Sequence, residues 1–194
     1  MDDEDLVGPR EHDRNALLNA VVLLCTDRGS LEISPAEIAA HAQVPKAAFF
    51  DHFVDGLDCV LAAQEANLVI LDQIISSACR DDRAFPDSLL ATISAALLWA
   101  SEHPAHAKLL TTDAPLARGL PASSIVLGDR LTGFLEQALP ATSGVDRSRF
   151  RTRAVMQGVI SVVAHDLHAS SPSRLSQLTP DIARLLTGPA MHES

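Results

Sequence analysis

Two helix-start signatures follow one another so closely that they dictate a tight turn between short helices. Ser34-Pro35-Ala36-Glu37 supplies a capping serine, a proline suited to the first helical position and a glutamate that can reach back to the cap amide. Ile38, Ala39 and Ala42 then fall on one side. The chain turns at Gln43-Val44-Pro45, and Pro45 can open a second short helix running to about His52. Upstream, Leu17, Leu18, Val21, Leu24 and Cys25 share one face of a helix that covers Arg14 onward and stops at Gly29. Three short helices, the last two joined by a tight turn, make the geometry of a helix-turn-helix. Leu17, Val21, Leu24, Ile38, Val44, Phe49 and Phe53 are its predicted core.

The rest of the chain also reads as helix. There is no tyrosine and no sustained alternation of the kind that marks strands. A long helix is predicted over 57–79, followed by the charged loop Arg80-Asp81-Asp82-Arg83 and a helix opened by Pro86 that ends near His103-Pro104. A short helix through Leu109-Leu110 precedes a loop with Pro115, Gly119 and Pro121. Helices over 125–139, 146–169 and 175–186 complete the chain, the first closed by Pro140 and the last by Gly188-Pro189. Thr179-Pro180 marks a fresh start inside the last of them, because an interior proline costs about 3 kcal/mol. The fold class is therefore all-α. The domains are an acidic, disordered lead-in over 1–9, a helix-turn-helix over 10–55 and a helical body over 56–190.

Although 47% of the 194 residues are hydrophobic, no apolar run approaches the ~20 residues that cross a bilayer. Val155 to Leu167 comes nearest and is interrupted by Gln157, His165 and Asp166. The start Met1-Asp2-Asp3-Glu4-Asp5 is the opposite of a basic secretory leader. A cytoplasmic protein without a membrane partner is expected. Cys25, Cys59 and Cys79 are odd in number and widely spaced, which argues against disulfides or a zinc knuckle. His103 with His106, and His165 with His168, form i, i+3 pairs, but two histidines without a third ligand do not make a metal site. No G-x-S-x-G, phosphate loop or H-E-x-x-H is present, so a helical enzyme is the weakest reading. No catalytic residue, metal or cofactor is expected.

Arg14-x-x-Leu17-Leu18-x-Ala20-Val21, Ser34-x-x-x-Ile38-Ala39-x-x-Ala42 and Val44-Pro45-Lys46-Ala47-Ala48-Phe49-Phe50-Asp51-His52-Phe53 resemble, in order and spacing, the head of the TetR family of bacterial regulators. The resemblance implies a DNA-binding domain followed by a ligand-binding and dimerisation domain. It implies a homodimer on a palindromic operator, usually a repressor, released by a small molecule. Carried over residue by residue, base contacts fall to Lys46, Ala47 and Ala48. Backbone phosphate contacts fall to Ser34, His52 and Arg14, and Phe50 holds the place of an aromatic that normally offers a phenol to phosphate.

Three departures stand out. Gln43 occupies the turn position where the family has glycine, so a non-glycine residue is expected at positive φ. Phe50 lacks the hydroxyl. Gly56 replaces the lysine that usually begins the fourth helix, and Gly56→Lys is expected to restore a phosphate contact. Between Arg10 and Asp58, four basic residues face eight acidic ones, and the whole chain carries a formal net charge of −10. A DNA-binding head normally shows a basic footprint. The alternative reading is therefore a ligand sensor or co-regulator of the same fold that has lost autonomous DNA binding.

The body is rich in apolar positions suited to a small-molecule cavity: Leu68, Leu71, Ile75, Ile93, Leu97, Trp99, Phe134 and Met156, with His165 or Gln157 to orient the ligand. A predominantly apolar ligand is expected. Val155 to Leu167 carries two stripes: Met156, Ile160, Val163 and Leu167, and Val155, Val159 and Val162. One stripe is expected to face its own body. The other, with Leu178, Ile182, Leu185 and Leu186, would build a dimer interface from the last two helices.

Overall fold

The structure is a computed structural model and describes residues 8–79, 87–112, 123–138, 149–169, 175 and 177–187. The predicted lead-in up to residue 7, the charged loop after Cys79, Pro86, the loop with Pro115, Gly119 and Pro121, Pro140, the segment 146–148 and Gly188-Pro189 lie outside these. Among the described residues there is helix and no strand. The helices are α1 (Pro9–Arg28), α2 (Pro35–Ala42), α3 (Lys46–Phe49), α4 (Gly56–Cys79), α5 (Asp87–Glu102), α6 (Pro104–Thr111), α7 (Ser123–Ala138), α8 (Arg149–His168) and α9 (Thr179–Thr187).

Two compact units divide between Ala66 and Asn67, inside α4. The first unit packs α1, α2 and α3 on one another. Leu17, Val21, Ile38 and Phe49 are fully buried there, with Phe53, Val60 and Ala63 close behind. The sequence places the boundary at 55/56, eleven residues earlier than the compact division at Ala66. The start of α4 belongs to the head because Cys59, Val60 and Ala63 are buried in it, and the Cys59 thiol lies 3.8 Å from the Leu17 carbonyl oxygen. Burial pushes the Cys25 thiol up to about 11 and the Cys59 thiol up to about 12. Both therefore stay protonated at neutral pH and act as small core hydrophobes.

The second unit buries Leu68, Leu71, Ile75, Leu97, Trp99, Leu110, Leu127, Ile160, Leu167 and Ile182 in one core. α7 packs closely on α8, α6 on both, and α5 on α9. Gly128 permits the α7–α8 approach: a Cβ there would overlap the Gln157 side-chain amide. α9 begins at Thr179 with Pro180 in its first turn, after a tight turn at Gln177–Leu178, as the proline requires. Among the described residues one helix, α4, is long and apolar enough to cross a membrane by length and composition. The run-based reading misses it because Gln64, Asn67, Asp72 and Gln73 interrupt the run. Leu68, Leu71 and Ile75 of this helix are buried in the core, whereas Val69 and Ile70 are exposed. Asp72 is paired with Arg130 at 2.8 Å.

The turn between α2 and α3 is the most tightly specified local feature. Ser34 and Glu37 form a reciprocal capping box at the start of α2. At its end Gln43 adopts φ 58° and ψ 30°, and its N–H donates to the carbonyls of Ala39 and Ala40. Apart from glycine, it alone has positive φ among the described residues. An L-residue in this conformation crowds Cβ against the following carbonyl. Gln43→Gly should therefore raise unfolding free energy by about 0.5–1 kcal/mol, read as a higher urea midpoint at unchanged slope.

Candidate nucleic-acid interface and ligand cavity

α3 is only four residues long, but its helical hydrogen bonding continues as turns. The N–H groups of Phe50, Asp51 and His52 donate to carbonyls three residues back, and that of Phe53 to Phe49. This arrangement buries Phe49 and Phe53 and exposes the opposite face: Lys46, Ala47, Phe50, Asp51 and Val54. Ala48 and His52 lie at the edge, half-buried. Phe50 is 54% exposed and stands edge-on to Phe49, with ring centroids 5.4 Å apart. The Arg14 guanidinium lies over the Phe53 ring, 5.7 Å from its centroid. Lys46, Ala47, Ala48, Phe50 and His52 thus share one short exposed segment, with Arg14 against its anchoring side.

The places where a DNA backbone could be gripped are largely taken by the protein's own carboxylates. At the α2 start, the Ser34 hydroxyl donates to Glu37 Oε2 at 2.6 Å, and the Ser34 N–H donates to the same oxygen at 3.0 Å. Arg28 pairs with Glu37 at 2.8 Å. The bonds from Ser34, followed by that from Arg28, hold the Glu37 carboxyl down at about 2. Glu37 stays ionised at any pH where DNA is bound. Ser34 consequently has its hydroxyl proton committed to a carboxylate, which leaves it a poor donor to phosphate. At the α4 start, Asp55 Oδ1 accepts from the Asp58 N–H, and Asp58 Oδ2 accepts from the Val54 N–H, both at 2.9 Å.

Gly56 corrects the expectation that a lysine there would regain a contact. The residue is buried, and a Cβ on it would overlap the Ile33 carbonyl oxygen, whose carbon would lie 3.1 Å away. The glycine marks a close backbone approach, and any side chain must displace main chain rather than extend to solvent.

In the second unit, α4 to α9 enclose an apolar cavity of about 120 Å³, counted as space open to the centre of a water-sized sphere. Leu71, Ile75, Ile93, Leu97, Trp99, Phe134 and Met156 line it. Leu68 is buried in the core but is not in the lining, and His165 is exposed on the other side of α8. Nine residues beyond Met156, at ~100° per residue, His165 is turned half a circle away from the cavity. Gln157 is also withdrawn, since its side-chain amide donates to the Ser124 carbonyl at 3.2 Å. The two lining hydroxyls are spent on their own helices: Thr92 donates to Ser88 at 2.8 Å and Thr111 to Lys108 at 3.0 Å.

Sequence reasoning missed that Val159, Ile160, Val163, Ile182 and Leu186 also line the cavity. The expected second stripe of α8 is accordingly corrected. Val155 and Val159 pack inward, and Val162 alone of the three is strongly exposed, at 49%. On α9, Ile182 is buried and Leu185 is 57% exposed. The single clue available was the i, i+4 spacing of Ile182 and Leu186, with Leu185 off that line.

Among the described residues no group of three His, Cys, Asp or Glu is placed to hold a metal ion. His106 instead meets Asn67, Nδ1 to Oδ1 at 2.8 Å, and burial lowers its pKa.

No protein-family model matches the sequence, and neither does any curated protein. Solved structures do match in fold. The fatty acid degradation regulator FadR from Bacillus halodurans superposes with a TM-score of 0.77 at 16% identity, over 96% of this chain and 98% of that one. A TetR-like transcriptional regulator from a Rhodococcus species gives 0.69 at 18% identity, over 91% and 96%. A SmeT–triclosan complex gives 0.62 at 15% identity, over 89% and 90%.

The Gly56 geometry yields a direct check. Gly56→Ala and Gly56→Lys should both lower stability, by about 2 kcal/mol or more, because the overlap is with backbone. Urea unfolding followed by circular dichroism measures this. Equal stability of wild type and Gly56→Ala would rule out a close approach of the Ile33 carbonyl to this position.

Proposed function

We propose that this chain, whose fold is that of the TetR-family transcriptional regulators, is a DNA-binding regulator that answers to a small apolar ligand. The observation that carries the reading is the solvent-facing side of α3 and its following turns, held rigidly by Phe49 and Phe53. A recognition helix works by presenting its first residues to base edges. Lys46, Ala47 and Ala48 are assigned that role, with Phe50 beside them and Arg14 and His52 toward the backbone. The protein works in the cytoplasm as a repressor on a palindromic operator, and the ligand releases it. The cavity supports the ligand half of the proposal: its lining is apolar apart from Thr92 and Thr111, close in chemistry to the usual small-molecule site. That solved structures of this fold include a fatty acid degradation regulator and a triclosan complex supports the same assignment.

A second reading has its own observation in favour. Carboxylates occupy the starts of both α2 and α4, and the head is net acidic. A sensor or co-regulator without autonomous DNA binding would look like this. Fluorescence anisotropy with DNA recovered by pull-down of genomic fragments separates the two. The regulator should bind with a shallow salt dependence, a slope in log K against log salt of magnitude below about 5, since each phosphate neutralised contributes about 0.9. Absence of binding even at low salt would establish the sensor reading instead.

The homodimer is assigned to the outward sides of α8 and α9, where Val162 and Leu185 are exposed. Glutamate at Val159 or Ile182 would damage the cavity wall instead. Val162→Glu with Leu185→Glu should give a folded monomer on sizing with light scattering. A wild type that is already monomeric at micromolar concentration would rule the assignment out.

A further inference from the structure

We propose that the base-reading face of this head recognises thymine methyl groups, with one guanine contact from Lys46, so that each operator half-site holds a guanine beside thymines. The inference rests on the DNA-binding reading and specifies what that surface selects. The exposed side of α3 and the turns after it offers few polar groups. Lys46 is the fully exposed donor side chain on it, with half-buried His52 at its edge, Asp51 is the charged acceptor, and the remaining surface is Ala47, Phe50 and Val54. Phe50 is 54% exposed and Val54 is 81% exposed. The Phe50 ring is not loose: it stands edge-on to the fully buried Phe49, at 81° between the ring planes.

In the major groove, one feature rewards a fixed apolar surface, the 5-methyl of thymine; alanine methyls and phenylalanine rings both meet it. The short side chains of Ala47 and Ala48 also let the backbone approach the base edges closely. Lysine donates to O6 and N7 of guanine, which supplies the one polar contact. The head's phosphate grips are diminished by Glu37, Asp55 and Asp58. A larger share of discrimination therefore falls on these base-edge contacts than on the backbone, which carries no sequence information.

The test uses the full-length wild-type protein and a randomised duplex library, from which bound sequences are selected at low salt. Guanine next to thymine should be enriched. The selected duplex is then remade with uracil for thymine, which removes only the methyl. Binding should weaken about fourfold for each methyl that the surface covers, the worth of one buried carbon at about 0.8 kcal/mol. Replacing guanine by 7-deazaguanine should weaken binding of wild type but not of Lys46→Ala. For Phe50→Ser, the difference between thymine and uracil duplexes should shrink to what Ala47 and Val54 still contact. Wild type that selects a sequence yet binds thymine and uracil duplexes equally overturns the proposal while leaving DNA binding intact. So does DNA binding with no sequence enriched. No binding at all would overturn the DNA-binding reading and this inference with it. The uracil comparison uses wild type alone, so it stands whatever the folding of the variants.

Discussion

The head depends on the burial of one side chain, Phe49. A four-residue helix has no stability of its own, because nucleation fixes several residues before hydrogen bonds accumulate. α3 exists because Phe49 is fully enclosed with Leu17, Val21 and Ile38. Removing such a ring costs about 3–5 kcal/mol, a large part of what a small domain has. Phe53 repeats the anchor one turn later, its ring centroid 5.6 Å from that of Phe49. With both rings fixed inward, Lys46, Ala47 and Phe50 have no choice of direction. The proposed base-reading surface is thus a consequence of core packing on its reverse side.

The same economy of local interactions explains why the head is acidic. Each helix start leaves amide protons without partners, and here carboxylates from the chain itself satisfy them. Glu37 serves α2, while Asp55 and Asp58 serve the entry to α4. Those bonds favour the fold, and they place negative charge where a nucleic-acid backbone would otherwise meet free amides. Arg28 is drawn into the arrangement by Glu37, and Arg14 lies over Phe53, so two of the head's four basic residues already have local contacts.

How far the sequence could be read depended on whether the deciding interaction was local. Ser34-Pro35-Ala36-Glu37 announces its capping box, and the missing glycine at Gln43 announces a strained turn, because both are settled within a few residues. Thr179-Pro180 announces a helix start for the same reason. The cavity was legible as composition: seven of the nominated residues line it, since long apolar side chains on several helices must converge. The failures lie where neighbours distant in sequence decide. Nothing in the sequence around Gly56 reveals that the Ile33 carbonyl sits against it. Helical spacing offers two apolar stripes on α8 but does not say which faces inward; Val155 and Val159 of the second stripe pack inward, while His165 is exposed. The compact division falls inside α4, one uninterrupted helix, and only packing of Cys59, Val60 and Ala63 shows where its first part belongs.

That continuity of α4 bears on energetics. The helix gives Val60 and Ala63 to the core of the head, and Leu71 and Ile75 to the cavity wall. A ligand alters DNA binding only through its different affinity for the binding and non-binding forms. The ceiling on that difference here is set by the cavity, which offers apolar contact and two hydroxyls already bonded to their own helices. Typical coupling free energies are about 1–3 kcal/mol, roughly a 5- to 150-fold change in affinity. On the proposed reading, so modest a bias suffices only where the hold on DNA is itself modest, and would do little against a strongly basic head. The acidic caps and the apolar cavity fit that reading together: a weak grip on the phosphate backbone would let a ligand with few polar handles act as the switch.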